Sequence, residues 1–386
     1  MKNIPFYKTS LKIDSNIEKS VTSGWITTGP MVKKFENQLA EYLGVKHVIA
    51  VNSCTAALHL SLAAQELQPN DYVIVPNITF VATSEVVEYF GAKVILCDIN
   101  PQTLCIDTEE VESILKKMKG KVKFVIPVHF GGYAADMISL TSLSLKYHFK
   151  IIEDCAHALE TTSNIGKVGN ADHCAAFSFY ANKNITTGGE GGAVSTNNEV
   201  LAKRIRKLSL HGMSKDAWDR FTDSKKWYYE VDELGYKYNL TDIAAGFGVQ
   251  QLRKVNIFQK RRQEISKKYD KIIDSIVGIN RFFYDKKYKN ARHLYIIHID
   301  QKYWSITRDD LIIKLNNLGI GTSVHYIPLH RMPYYKNKYA LEDKNFPNSC
   351  NYFEGCISLP IYPSLSDKDI DYIDENLNSL YREYKK

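Results

Sequence analysis

The stretch FSFYANKNITTGGEGG, residues 177–192, decides how this chain is read. It follows the short apolar run Cys174-Ala175-Ala176, sets Ser178 between Phe177 and Phe179, and places Lys183 on a loop that closes with Gly188, Gly189, Gly191 and Gly192. An amine works as a covalent catalyst when apolar or cationic surroundings destabilise its charge and a carbonyl is held beside it. The apolar flanks meet the first condition. On this stretch alone an exposed loop lysine is an equal reading, so the flanking segments have to decide.

Upstream, the run Lys150 to Glu153 reads as a strand that delivers Asp154-Cys155-Ala156-His157. A carboxylate at the end of a buried strand needs a partner, because burying it unpaired is costly. Glu153 is served by a backbone N–H cluster or a lysine; Asp154 suits a protonated ring nitrogen. Further upstream, the strand Val45 to Val51 runs into Asn52-Ser53-Cys54-Thr55 and then an alanine- and leucine-rich helix from Ala56 through Leu67. Free N–H groups and hydroxyls at such a helix start suit a phosphate, although Ser53 or Thr55 also reads as a plain helix cap.

Other strands are expected at Tyr72 to Val75, Ala92 to Cys97 and Val122 to Val128, with helices or turns between them. This alternation predicts an α/β domain with a mainly parallel sheet, which binds ligands beyond the carboxyl ends of its strands. Asn77-Ile78-Thr79-Phe80 and His129-Phe130-Gly131-Gly132 follow strands in that way. Joined together, a phosphate cup at Ser53, Cys54 and Thr55, an aromatic at Phe80, an acid at Asp154, a serine at Ser178 and an amine at Lys183 match the requirements of pyridoxal phosphate. The lysine binds the aldehyde, the acid keeps the pyridine nitrogen protonated, and the hydroxyls hold the phosphate.

At 386 residues and 44% hydrophobic content the chain is large enough for two domains. These are expected at 1–252, with an N-terminal arm, and at 253–386, which includes the connector helix; one long helix is expected beyond Ala244, carrying Leu252, Val255, Phe258, Ile265, Tyr269 and Ile272 on or near one stripe. The smaller unit is expected to hold a strand at Leu294 to Ile299, a helix opened by Thr307 with Asp310, and a last helix opened by Ser366 with Asp369. Val324-His325-Tyr326 is expected at a strand end, where it reads either as a ligand contact or as an interdomain hydrogen bond. The turn-rich Gly24–Pro30 reads as a polar-ligand loop or as a simple arm.

The formal charge of +7 is spread along the chain, which favours a small anionic substrate over nucleic acid. The seven cysteines contain no C-x-x-C pair, no metal is expected, and no signal core or membrane-length apolar run is present, so a cytoplasmic protein is expected.

The segments Thr28-Gly29-Pro30, Ser53 to Leu58, Glu153 to His157, Ser178 to Gly192 and Gly235-Tyr236-Lys237-Tyr238-Asn239-Leu240-Thr241-Asp242 resemble the DegT/DnrJ/EryC1/StrS sugar aminotransferases, in order and over nearly the whole chain. Within that family the segments around Lys183 and Lys237 are most similar to enzymes acting at C-4 of UDP-linked keto sugars, of the UDP-4-amino-4-deoxy-L-arabinose type.

The resemblance implies the aspartate-aminotransferase-like fold (fold-type I), L-glutamate as amino donor, a nucleotide-linked keto sugar as acceptor, and a homodimer. It implies that Lys183 binds pyridoxal phosphate and shuttles a proton, that Asp154 pairs with the pyridinium, and that His157 lies beside O3′ of the cofactor. Ser178 and the backbone around Cys54 and Thr55 would hold the phosphate, and Phe80 would stack on the ring. It also implies substrate contacts from Thr28, Tyr180, Asn182, His325 and Tyr326.

Two positions depart from the family pattern. Cys54 stands where glycine is common, and Lys237 and Asn239 stand where many members have asparagine and arginine, in a segment that reaches the neighbour's phosphate across a dimer interface. A nicotinamide dehydrogenase is disfavoured because its glycine fingerprint would sit between a first strand and helix. The 3-dehydratases of the fold carry histidine in place of lysine. Other chemistry on the same fold and a noncatalytic sugar-nucleotide sensor remain as alternatives.

Overall fold

A seven-stranded sheet positions the site. The computed structural model describes residues 2–213, 228–282 and 287–386. The strands are β1 (His47–Val51), β2 (Tyr72–Pro76), β3 (Lys93–Cys97), β4 (Val122–Val125), β5 (Lys150–Asp154), β8 (Cys174–Ser178) and β9 (Gly192–Thr196), in the order β1-β9-β8-β5-β4-β2-β3. The ribbon β6 (Thr162–Ser163) and β7 (Gly166–Lys167) stands apart. Pairings between β3, β2, β4, β5 and β8 are parallel, while β9 runs antiparallel to both β8 and β1. Val73-Ile74-Val75, Ile151-Ile152 and Ala175-Ala176 are all buried, as expected of strands covered on both faces. The fold is thus α/β with a mainly parallel sheet.

The carboxyl ends of β2, β5 and β8 open on the same side, which brings Phe80, Asp154 and Ser178 to one edge of the sheet. Helix Cys54–Ala63 starts there too, two residues earlier than expected, and it ends four residues sooner. Gly192 makes this convergence possible. A Cβ at Gly192 would lie 2.4 Å from the Ser53 carbonyl carbon and 2.6 Å from the Cys54 nitrogen, so only glycine lets β9 pass against the helix start.

A second, antiparallel sheet, β10 (Ile279–Arg281), β11 (Tyr295–Ile299) and β12 (Cys356–Leu359), lies in the C-terminal part. Ile265, Tyr269, Trp304, Leu311 and Leu377 form a core there that also takes in Ile4 from the N-terminal arm. A separate cluster unites Leu294, Ile296 and Tyr352 with Ile74, Val125 and Ile151 of the main sheet. Both expected capping boxes, Thr307 with Asp310 and Ser366 with Asp369, are present.

The expected single connector helix is two helices, Asp242–Leu252 and Val255–Asp274. Ala245, Val249 and Leu252 bury with Phe35 and Leu39, and Val255 and Phe258 just after the break join the same cluster; Ile265, Tyr269 and Ile272, further along the second helix, bury in the C-terminal core. Val324-His325-Tyr326 belongs to no strand; the nearest pairing is Ser323 with Ser358. Asp242, read only as part of a motif, caps helix Pro30–Leu43 by accepting from Met31 N (3.1 Å) and Val32 N (2.9 Å).

Replacing Gly192 by alanine forces backbone against backbone. We expect Gly192→Ala to destabilise the protein by about 1–3 kcal/mol, measured by denaturant unfolding, and to weaken cofactor binding because the displaced element is the helix start itself.

Candidate active site

Lys183 is set by its own loop. Its N–H bonds the Tyr180 carbonyl at 3.0 Å, Thr187 N and Thr186 Oγ1 both return to the Phe179 carbonyl, and Thr187 Oγ1 donates to the Glu190 carbonyl at 2.6 Å. Gly188 turns this loop at φ +93°, a conformation that other residues rarely adopt. The glycines then lead into β9, an antiparallel strand and not a helix N-terminus, so they form no dinucleotide cradle.

The lysine side chain lines a cavity of about 460 Å³. Among the described residues its amine has no hydrogen bond and no ion pair. Burial pushes it down to about 8, partly offset by the negative charge of Asp154. Asp154 moves the other way: burial raises it, against hydrogen bonds from Ala156 N (3.0 Å) and Thr83 Oγ1 (2.9 Å) and the charge of Lys183.

The neighbouring carboxylate has a different environment. Glu153 accepts from His129 Nε2 at 2.7 Å, His173 Nε2 at 2.6 Å and Gly169 N at 3.1 Å. Burial opposes its charge, but the two histidines outweigh that and hold it well below the usual carboxylate range. His129 accepts at Nδ1 from Ala135 N, so its Nε2 carries the proton and donates to Glu153. The grouping of His129, Glu153 and Cys155 is therefore a hydrogen-bonded clamp and not a bare ligand set.

His157 accepts at Nδ1 from Gly131 N (3.2 Å), and its Nε2 faces Tyr326 Oη at 3.2 Å. Burial keeps the ring neutral. Its single proton then resides on Nε2 and is donated to Tyr326, which leaves the tyrosine hydroxyl free to donate in turn.

Of the residues expected from the sequence, Ser53, Cys54, Thr55, Phe80, Asp154, His157, Ser178, Tyr180, Asn182, Lys183, His325 and Tyr326 line this one cavity. Ser53 caps the helix, accepting from Ala56 N at 3.0 Å, and lines the cavity as well. Cys54 contributes to the cavity wall, and the close backbone approach is made from the opposite side by Gly192.

Thr28, Lys237 and Asn239 do not line the cavity within the chain. They bond one another instead: Lys237 Nζ to Asn239 Oδ1 and Asn239 Nδ2 to Thr28 Oγ1, both at 2.7 Å, with Thr28 donating to the Leu240 carbonyl. Sequence reasoning placed His129 after a strand without its partner Glu153, and it missed Thr83 and His173. Each comes from an element remote in sequence from the acid it serves, and no local pattern marks the pairing.

These residues fit pyridoxal phosphate: an unpaired amine, a buried acid across the cavity from it, and a helix start with free N–H groups. When bound, the cofactor supplies an electron sink for a carbanion. The fold and this cavity define a pyridoxal-phosphate-dependent aminotransferase. The chain belongs to the DegT/DnrJ/EryC1/StrS aminotransferase family, whose profile matches residues 9–378.

It is 41% identical over 367 residues to the spore coat polysaccharide biosynthesis protein SpsC of Bacillus subtilis, covering 95% of this chain and 93% of that protein. Spr1654 of Streptococcus pneumoniae, described as a sugar aminotransferase and solved in its PMP form, superposes with a TM-score of 0.90 at 32% identity, covering 99% of this chain and 100% of that one. Helicobacter pylori PseC, an aminotransferase of pseudoaminic acid biosynthesis, superposes with a TM-score of 0.90 at 26% identity, over 99% and 100% of the two chains. The protein is a sugar aminotransferase.

An amine lowered to about 8 becomes reactive well below an ordinary lysine. We expect a lysine-directed reagent to modify Lys183 of the cofactor-free protein with a midpoint near that value. Since Asp154 raises the amine, Asp154→Asn moves the midpoint down; peptide mapping against pH reads both.

Proposed function

We propose that this enzyme aminates C-4 of a UDP- or dTDP-linked 4-keto-6-deoxyhexose with L-glutamate as donor, and that it works as a homodimer in the cytoplasm. The observation that carries this reading is the composition of the cavity. It is large, and Phe80 and Tyr180, exposed by 57% and 43%, stand at its wall with room for a bulky sugar nucleotide. Its neutral hydroxyls and histidines suit sugar hydroxyl groups. The names of SpsC and PseC, both tied to sugar or polysaccharide biosynthesis, point the same way.

In this reading Lys183 moves a proton between the substrate carbon and the cofactor, Asp154 supports the pyridine nitrogen, and the Tyr326 hydroxyl, released by its bond from His157, meets a substrate oxygen.

Lys183 is the only lysine or arginine lining the cavity among the described residues, so the cofactor phosphate lacks a cation within one chain. Lys237 is the residue that supplies one from a neighbouring copy. Both ends of the Asn239 amide are already engaged, whereas Lys237 is exposed and keeps further donors. Asn239 then orients Lys237, and the Thr28 turn lies against the same neighbour. Leu234, 88% exposed just before this segment, suits a covered position in such a dimer. All seven cysteines are free, in keeping with a reducing compartment.

The yellow holoenzyme should bleach on adding L-glutamate and recover on adding the right keto sugar; a panel of UDP- and dTDP-4-keto sugars read by mass identifies it. No bleaching with glutamate would replace the donor, and no product from any panel member would replace the acceptor. Lys237→Ala should weaken cofactor binding about 10- to 100-fold in a protein that still sediments as a dimer. A monomer with unchanged cofactor affinity would overturn the cross-subunit reading.

A further inference from the structure

Behind the catalytic lysine lies a buried polar group that the chemistry above does not use. Asn184, the residue after Lys183, is buried, and its amide is held on both sides. Nδ2 donates to Glu160 Oε2 at 2.7 Å and to the Ala291 carbonyl at 3.0 Å. Because a backbone carbonyl can only accept, the amide has one orientation, and its Oδ1 must face His293 Nδ1 at 3.1 Å as an acceptor. His293 therefore carries its proton on Nδ1.

The same imidazole lies against His157, with ring centroids 4.4 Å apart and planes inclined by 33°. One side chain thus touches both the lysine loop and the histidine placed beside the cofactor. The segment that carries it is itself pinned. Ala291 N bonds Thr161 Oγ1 at 3.2 Å, Leu294 N bonds the Gly131 carbonyl at 3.2 Å, and Thr161 Oγ1 donates to the Gly132 carbonyl at 2.7 Å. Gly131 is also the residue whose N–H holds His157.

We infer that His293 is a positioning residue for the lysine: its Nδ1–H holds Asn184, and through it the angle at which the Lys183 amine is presented to the cavity, by that donor and not by its ring. A second observation agrees with this role. Burial, together with His157, Lys183 and Arg262 nearby, holds His293 well below its ordinary value and thus neutral, so it supplies one fixed donor and adds no charge beside the amine. Glu160, with burial raising it and Oε1 lacking a partner among the described residues, anchors the far side of the same amide.

Two substitutions separate the donor from the ring. His293→Phe keeps an aromatic face against His157 and removes the donor; His293→Asn keeps a donor near the Nδ1 position and removes the ring. The readouts are the melting temperature of the cofactor-free protein, the pH midpoint of the visible chromophore in the holoenzyme, and the rate at which hydroxylamine bleaches it. Hydroxylamine needs neither the natural donor nor the natural sugar, so the result stands apart from the substrate assignment.

The expected result is that His293→Phe shifts the chromophore midpoint and changes the bleaching rate about 10- to 100-fold, with His293→Asn restoring both toward the unsubstituted enzyme. If His293→Phe does not fold, His293→Asn alone decides: a midpoint and a bleaching rate like those of the unsubstituted enzyme support the role. The inference is overturned if His293→Phe keeps the chromophore midpoint and bleaching rate whatever its melting temperature, or if His293→Asn fails to preserve them.

Discussion

A primary amine enclosed in a cavity without a carboxylate in bonding contact is the constraint on which the site rests. Such an amine loses its hydration and gains no ion pair, so its charge is disfavoured, and nothing attached to the amine holds it in place. The backbone has to do this instead. The bonds from Thr186 and Thr187 to the Phe179 carbonyl and the clamp on Asn184 keep the loop fixed on either side of Lys183. The lysine stays free at its tip because its neighbours are bound so completely.

The two acids at the end of β5 show how one strand can serve two purposes. Successive side chains leave a strand on opposite faces. Glu153 therefore enters a pocket of two histidines and a backbone N–H, where its charge is satisfied and its role is to hold the strand end. Asp154 faces the cavity with two hydrogen bonds and a burial cost left over. A protonated ring nitrogen would offset that cost. The pair divides structural and chemical work through the pleat of the sheet, with no change of residue type beyond one methylene.

Much of the site was legible because the sequence concentrates it after strands. Lys183, Asp154, Ser178 and the Ser53–Thr55 turn each follow a short apolar run, and in a parallel sheet such positions converge on one edge. The illegible parts depend on partners distant in the chain. His293 lies about a hundred positions from Asn184 and sits in no local pattern, and His129, legible as a residue after a strand, carries no local sign that its partner is Glu153 on the adjacent strand. The break between Leu252 and Val255 was hidden for a related reason. The apolar stripe continues across it, and Val255 and Phe258 beyond it bury in the same cluster as Leu252 before it, so the side-chain pattern carries no mark of the break.

By itself, the sequence determined the α/β alternation, the identity of the amine and the acid, and the helix caps, because these follow from short-range spacing and from the backbone needs of single elements. The tertiary structure decided which faces Glu153 and Asp154 occupy, which nitrogen of His129, His157 and His293 carries the proton, and that Thr28, Lys237 and Asn239 form a group apart from the cavity. Those outcomes depend on which donors and acceptors burial brings together. A buried polar atom is satisfied only by the particular group packed against it, and that group is chosen by the fold as a whole.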